Sequence, residues 1–311
     1  MAKAGMIREW EKDEAAFQYE QREGRAILLL WKGAGSTAHI PEEVDGCPVR
    51  EIGRKAFLSN KRIQEVYLPG SIEMIDDWAF AYCSKLSRIW MPRHPVSFGK
   101  GVFLQCERLE HFILEDEKTP MSEKVKECTG ALLAAVVHKL DAPYLLNPMQ
   151  AGRKSWIRKW DTRLMEIMTT PDEDGYSRTI LCGEEDIGSM DNNLEFFLHQ
   201  KRRSKVRLAL LRLLYDQDLP SAMQQFLTDY LKSHAKGCLF EETWQVVKEE
   251  HGTEKEYYDL LLDIGALTAE NFDAVLCDMG TELAEMKAYL LREKEERFGD
   301  GEFFSSLSLD L

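Results

Sequence analysis

Residues 72–92 read Ile-Glu-Met-Ile-Asp-Asp-Trp-Ala-Phe-Ala-Tyr-Cys-Ser-Lys-Leu-Ser-Arg-Ile-Trp-Met-Pro. The same pattern occurs one repeat earlier, in residues 49–69, and a third copy runs from Val96 to Leu114. Six columns of similar residues recur at a 23-residue period: Ile52/Ile75/Phe98, Ala56/Ala79/Val102, Phe57/Phe80/Phe103, Ile63/Leu86/Leu109, Val66/Ile89/Phe112 and Leu68/Met91/Leu114. Six matching columns indicate a true internal repeat and predict a repeat architecture.

Each 23-residue period has the composition of one supersecondary unit. An Ala-Phe segment, helical or turn-like, precedes a short strand, and neither element can bury its apolar face alone. Stacking the units places Phe57, Phe80 and Phe103 above one another as a continuous apolar spine. The strands then pair into a parallel sheet, and they are expected at Val66–Leu68, Ile89–Met91 and Phe112–Leu114.

The repeat resembles the BspA-like leucine-rich repeat family, whose pattern is Ile-x-x-x-Ala-Phe-x-x-Cys-x-x-Leu-x-x-Ile-x-Leu-Pro. Residues 75–92 match nearly every position, with Met91 in place of Leu, and residues 33–49 resemble the hairpin that precedes the first repeat in that family. The first repeat has Asn60 in place of Cys, and the third lacks the final Pro. The resemblance implies a leucine-rich repeat domain over residues 25–115, in a family of bacterial proteins that are often secreted or surface-attached.

Residues of a strand alternate between the two faces of a sheet. With Val66, Ile89 and Phe112 directed into the core, six residues are predicted on the opposite, concave face: Glu65, Tyr67, Arg88, Trp90, His111 and Ile113. Because Tyr, Trp and Arg are enriched at binding hot spots, we expect these six to bind a partner. The same face would also suit packing against the protein's own helices, and the sequence leaves both interpretations open.

Helical periodicity replaces the strand pattern after residues 116–121. The short helices after residue 254 resemble, weakly, the helix pairs of an α-solenoid. The sequence therefore predicts an α+β repeat protein: a lead-in (1–24), a short leucine-rich repeat sheet with its N-terminal hairpin (25–115), an all-α region (116–298) and a flexible tail (299–311). Helices are predicted at 121–140, 153–168, 191–200, 203–216, 220–234, 241–251, 254–264, 269–279 and 282–297.

The chain of 311 residues has a formal net charge of −14. Residues 241–311 contain 19 Asp and Glu against 6 Lys and Arg, a net charge of −13. This balance disfavours general nucleic-acid binding, which needs clustered cations. No stretch approaches the roughly 18 uncharged apolar residues of a membrane span, and charged residues interrupt the first 14 residues where a signal peptide would be apolar. We therefore expect a cytoplasmic protein.

Two basic stretches favour a competing hypothesis. Residues 153–163 interleave basic residues with Trp156 and Trp160, and residues 201–212 carry a second cationic cluster. Such patterns can bind nucleic acid or an acidic partner. Because the two Trp residues are four apart, however, they can also face the core while the cations extend into solvent or pair with the acidic C-terminal helices.

The sequence lacks the common catalytic and metal-binding motifs. The seven Cys residues include no Cys-x-x-Cys, which indicates reduced, mostly buried thiols. Residues 172–175 have the turn of a calcium loop, but Leu181 occupies the position of the bidentate Glu. We interpret the chain as a non-enzymatic scaffold for a protein or peptide, with no cofactor and no metal. One alternative is nucleic-acid or acidic-partner binding by helices 153–163 and 201–212, and a second is an undetected hydrolase in the helical region.

Overall fold

A computed structural model of the chain describes residues 6–12, 15–115, 123–176, 193–236 and 241–298. The chain divides into two compact units, Met1–Ile167 and Met168–Leu311. The first unit contains eleven strands in its described residues: β1 (Ile7–Lys12), β2 (Ala15–Arg22), β3 (Arg25–Trp31), β4 (Thr37–His39), β5 (Glu43–Val44), β6 (Cys47–Ile52), β7 (Glu65–Tyr67), β8 (Met74–Ile75), β9 (Arg88–Pro92), β10 (Ser97–Phe98) and β11 (His111–Glu115).

These strands form two sheets. The first sheet has the order β1-β2-β3-β6-β8-β10, with β5 paired to β6, and the second has the order β11-β9-β7-β4. The second sheet is parallel throughout, with Val66 opposite Ile89 and Ile89 opposite Phe112. The short strands β6, β8 and β10 add a parallel ladder that the sequence did not predict. The α+β repeat fold and the strand of each repeat are confirmed.

The Ala-Phe segments are turns, and they hold successive repeats together. The N–H of Phe57 donates to Ala79 O at 2.7 Å, and the N–H of Phe80 donates to Val102 O at 2.9 Å. The rings of Phe57, Phe80 and Phe103 stack in sequence, with centroid separations of 4.7 and 5.6 Å. The predicted apolar spine is therefore confirmed, and all three side chains are buried.

The N-terminal segment is more regular than the predicted lead-in. Strands β1 and β2 form an antiparallel hairpin that continues into β3. The predicted hairpin before the first repeat is also present, since β5 pairs with β6 around Asp45 and Gly46. Their φ angles of 49° and 74° are those of a type I′ turn, which suits the twist of a two-residue hairpin.

Helices follow the repeats within the first unit. Helix α1 (Glu123–His138) packs against β11, and a short 3-10 helix (Pro143–Leu145) leads to α2 (Lys154–Thr169), whose last two residues belong to the second unit. Gly130 of α1 lies against the backbone of Phe112, where a Cβ would come within 2.1 Å of the carbonyl oxygen. Helix α1 therefore covers the edge strand that ends the second sheet.

The second unit is helical in its described residues. Helix α3 runs unbroken from Leu194 to Leu214, so the prediction of separate helices at 191–200 and 203–216 was wrong. It packs against α4, α5 and α6, and α7 packs against α8. Among the described residues, no helix combines the length and apolar composition that a bilayer span requires. The remaining helices are α4 (Ser221–Ser233), α5 (Glu242–Glu250), α6 (Lys255–Asp263), α7 (Phe272–Asp278) and α8 (Ala284–Phe298).

Candidate binding surface

The second sheet separates its side chains as the alternation predicted. Val66, Ile89 and Phe112 are at most 1% exposed and form its core face. The six predicted site residues lie on the other face, where Arg88 is exposed and the other five are half-buried: Glu65, Tyr67, Trp90, His111 and Ile113. The structure therefore brings all six together on one surface.

Aromatic rings line this surface in one row. Tyr67 stacks on Trp90 with centroids 4.1 Å apart and planes 13° from parallel. On its other side, Tyr67 stacks on His39 at 4.2 Å, and Ile113 lies opposite Trp90 on β11. We call His39, Tyr67, Trp90 and Ile113 the aromatic row. The sequence did not predict His39, which enters through β4, a strand outside the 23-residue period.

The stacking determines what the row offers a ligand. Because ring faces are turned to one another, the ring edges remain for a partner, together with the Tyr67 hydroxyl and the Trp90 indole N–H. Neither donor has a hydrogen-bond partner among the described residues. Burial, followed by the charge of Glu65, raises the pKa of Tyr67, so its hydroxyl stays protonated at neutral pH. These donors complement carbonyl oxygens, the most abundant acceptors of a peptide.

A polar row lies beside the aromatic row. Its members Glu65, Arg88 and His111 occupy matching positions on β7, β9 and β11. Arg88 Nη1 lies 3.5 Å from Glu65 Oε1 with both side chains partly in solvent, so this ion pair is weak and a partner can replace it. Burial lowers the pKa of His111, so its ring is neutral at pH 7. The face thus carries Glu65 and Arg88 next to the donors of Tyr67 and Trp90, and the exposed Glu115 of β11 adds a second carboxylate whose charge also acts on Tyr67.

The first basic stretch does not present its aromatic rings. Trp156 and Trp160 are buried, and their indole N–H groups donate to Leu145 O at 2.8 Å and Leu132 O at 3.0 Å. They are therefore core residues and cannot stack on bases. Four cations at the start of α2 remain exposed: Arg153, Lys154, Arg158 and Lys159.

The second basic stretch is largely paired within its own unit. Arg203 contacts Glu249 at 2.8 Å and Glu250 at 2.7 Å, and Arg207 contacts Glu250 at 2.6 Å. Burial acts to raise the pKa of Glu250, but the hydrogen bonds from Arg207 and Arg203 outweigh it and lower the pKa. Arg212 is fully buried and donates to backbone carbonyls. The cations of α3 mainly hold helices together.

Candidate catalytic groups in the second unit are also paired. Asp172 contacts Lys205 at 2.6 Å and Arg202 at 3.1 Å, whereas Glu242 contacts His199 at 3.2 Å. No cluster of three or more potential metal ligands occurs among the described residues. Leu181 of the rejected calcium loop lies outside those residues.

The thiols of the repeat region have a structural role. Cys83 Sγ donates to Phe57 O at 3.1 Å, and Cys106 Sγ donates to Phe80 O at 2.9 Å. Both are buried and neither forms a disulfide, and Cys128 is likewise a buried thiol outside any disulfide. Cys47 is free and half-buried and Cys277 is free and exposed, while Cys182 and Cys238 lie outside the described residues.

Comparison with known proteins identifies the repeats. Residues 39–129 match the BspA type Leucine rich repeat region, which confirms the resemblance predicted from the sequence. Among curated proteins, no sequence matches the chain.

Several solved structures of bacterial leucine-rich repeat proteins are similar. One from T. pallidum is 29% identical, with a TM-score of 0.27, over 31% of this chain and 46% of that one. A leucine rich cell surface protein from Faecalibacterium prausnitzii is 20% identical, with a TM-score of 0.31, over 42% and 36%. One from Bacteroides capillosus is 23% identical, with a TM-score of 0.27, over 35% and 99%. The chain thus spans less than half the length of the first two.

Proposed function

We propose that this chain, whose residues 39–129 are a BspA-type leucine-rich repeat region, is an interaction scaffold that binds a peptide segment of another protein on its second sheet. The observation that carries the proposal is the aromatic row. Its stacked rings are held rigidly on a parallel sheet, and the unpaired donors of Tyr67 and Trp90 lie at its surface. Rigid aromatic anchors lose little conformational entropy on binding, which favours affinity.

The charges beside the aromatic row limit which kinds of partner suit this surface. Glu65 and Arg88 together carry no net charge and Glu115 adds a carboxylate, so the surface suits a peptide with basic side chains rather than a polyanion. Helix α1 already covers the edge strand β11, and the aromatic row lies on the face of the sheet, so this face is the proposed site. The partner therefore lies across the strands, in contact with several repeats.

A peptide library displayed on phage and selected on the immobilised full chain tests this function. The proposal expects enriched peptides that bind wild type and lose binding to the Tyr67→Ala/Trp90→Ala variant. Tyr144→Ala, which removes a tyrosine that is 68% exposed elsewhere in the first unit, serves as the matched control. Peptides that bind the double variant as well as wild type would contradict the proposal.

A second candidate function rests on the exposed cations at the start of α2. Arg153, Lys154, Arg158 and Lys159 form a basic face that could hold an acidic partner or nucleic acid through salt-sensitive contacts. The Lys154→Glu/Lys159→Glu variant tests it by filter binding to single-stranded DNA. The assay is run at about 50 and about 200 mM salt, because affinity that depends on phosphate contacts falls steeply over this range. Retention of DNA by wild type alone would support this second function.

A further inference from the structure

The turns of the repeats form a regular hydrogen-bonded stack. In the turns of the first two repeats, three N–H groups two residues apart donate to three carbonyl oxygens of the following repeat. The turn of the second repeat shows the pattern with Trp78, Phe80 and Tyr82 as donors. Their acceptors are Lys100 O at 2.9 Å, Val102 O at 2.9 Å and Leu104 O at 2.7 Å.

The third repeat has the same donors but no following repeat. By the 23-residue period, the equivalent N–H groups belong to Gly101, Phe103 and Gln105. None of the three has a hydrogen-bond acceptor among the residues that the structure describes. Phe103 is buried, whereas Gly101 and Gln105 are exposed, so water reaches this turn in the free protein and a ligand with matching carbonyl oxygens would replace that water.

These donors lie at a cavity. A space of about 560 Å³ lies between the turn of the third repeat and the end of α1, and Gly101, Phe103 and Gln105 are part of its lining. Val137, Pro143 and Leu146 contribute apolar surface to the lining. This volume lies in the range of small-ligand sites, about 300–1,000 Å³, which also suits a few peptide residues.

Charged groups at the cavity indicate what it does not bind. Glu107 and Asp141 are exposed carboxylates in its lining, and they oppose a phosphate or another anion at the three N–H groups. His138 also lines the cavity, and burial lowers its pKa to about 4, so its ring carries no positive charge at neutral pH. A ligand fits this electrostatic setting if its hydrogen-bond acceptors are uncharged and its neighbouring side chains are positively charged.

We propose that this cavity binds a short peptide in the turn conformation of the repeat. Three alternate carbonyl oxygens of this peptide accept hydrogen bonds from the N–H groups of Gly101, Phe103 and Gln105. The peptide takes the place of a fourth repeat. Its apolar side chains contact the wall formed by α1 and the following segment, and basic side chains lie near Glu107 and Asp141. The site is distinct from the aromatic row, so a chain can hold both ligands.

The chain's own first turn supplies a probe. Residues 54–60 read Arg-Lys-Ala-Phe-Leu-Ser-Asn. The carbonyls that would accept the three hydrogen bonds belong to Arg54, Ala56 and Leu58, the positions equivalent to Lys100, Val102 and Leu104. The acetylated and amidated peptide has two cations and no anion. A matched control replaces the sixth residue by Pro, because Ser59 has a φ of 58°, Pro fixes φ near −65°, and the change leaves both cations in place.

Amide hydrogen exchange of the full chain, read by NMR, tests the proposal. In the free protein, the amides of Trp78, Phe80 and Tyr82 should exchange at least ten-fold more slowly than those of Gly101, Phe103 and Gln105. Saturating peptide should slow exchange of the latter three at least ten-fold, whereas the Pro peptide should bind at least ten-fold more weakly. Slow exchange of these three amides in the free protein, or protection that rises with protein concentration without peptide, would overturn it.

Two variants separate this site from the sheet face. Glu107→Gln/Asp141→Asn should weaken binding of the dicationic peptide several-fold and reduce its salt dependence, and Asn tolerates the φ of 47° at position 141. Trp90→Ala should leave binding of this peptide unchanged. If Trp90→Ala abolishes it instead, the peptide occupies the second sheet and the cavity is not its site.

Discussion

Gly130 of α1 approaches the backbone of Phe112 in β11 so closely that a Cβ would lie 2.1 Å from the carbonyl oxygen. Real Cβ atoms do not come this near to backbone atoms, so only glycine permits helix α1 to cross the edge strand at this distance. The contact joins helix α1 to the last repeat. It explains why a residue that weakens helices lies in the middle of α1.

Substituting Gly130 by Ala should therefore destabilise the protein. At an open helix position the change would stabilise by about 1 kcal/mol, but here the added methyl group forces α1 from β11. We expect a net loss of about 1–3 kcal/mol in the free energy of unfolding, the range of overpacked cores. Urea denaturation measures it, with Glu127→Ala on the exposed side of α1 as control. A gain in stability would refute the close contact.

The phenylalanine spine yields a second prediction. Phe80 is fully buried between Phe57 and Phe103, so Phe80→Ala leaves a cavity in the repeat stack. The expected loss is about 3–5 kcal/mol. Leu58→Ala removes a side chain that is 39% exposed in the preceding turn and should cost less than about 1 kcal/mol. Equal losses in thermal unfolding of the two variants would argue against a stabilising role for the spine.

The repeat stack was predictable because its columns recur at a fixed period and alternate in burial. The parallel ladder of the first sheet could not be predicted in this way. Strands β8 and β10 contain two residues each, too few to show an alternation of buried and exposed residues. The predicted break within α3 was placed near Lys201, where cations interrupt the apolar pattern. Lys and Arg are good helix formers, and here acidic residues elsewhere in the second unit neutralise most of them.

The six candidate site residues follow from the alternation of the strands, but their ring geometry does not. Tyr67 and Trp90 occupy the same position in successive repeats and meet only through the register of β7 and β9. His39 precedes Tyr67 by more than one full repeat, so a search at the repeat period passes over it. The cavity beside the third turn depends on how α1 packs, which no local pattern reveals.

His138 predicts a pH dependence. Burial lowers its pKa to about 4, below the usual value of 6.5, so the folded state binds fewer protons between these pH values than the unfolded state. The free energy of unfolding is therefore unaffected by this group above pH 6.5. As the pH falls toward 4, it decreases by roughly 2–3 kcal/mol. Denaturation at pH 7 and pH 4.5 should show a smaller pH effect in His138→Gln. An unchanged pH effect in that variant would contradict the role of His138.

The paired cations of α3 yield a prediction for the second unit. Glu250→Gln leaves Arg203, whose side chain is 11% exposed, with one carboxylate fewer. The hydrogen bonds from Arg207 and Arg203 lower the pKa of Glu250 against the effect of burial. The ionised Glu250 therefore stabilises the folded state above its pKa in the unfolded chain, and this stabilisation is lost as the pH falls through its pKa in the folded protein.

We expect Glu250→Gln to destabilise the second unit by about 1–2 kcal/mol at pH 7, and by much less at pH 3. Glu256→Gln, at an exposed position of α6, provides the control and should change stability little at either pH. A loss of equal size at pH 3 and pH 7 would show that the carboxylate charge is not the cause.

The most direct test of the account is calorimetric titration of a peptide selected on the full chain against wild type, Trp90→Ala and Tyr144→Ala. Trp90 stacks on Tyr67 at the centre of the aromatic row, whereas Tyr144 lies outside the second sheet. The account predicts that Trp90→Ala weakens binding by about 30-fold or more, the effect of losing a hot-spot residue of about 2 kcal/mol, and that Tyr144→Ala changes it less than about 2-fold. Equal affinity for wild type and Trp90→Ala would contradict it.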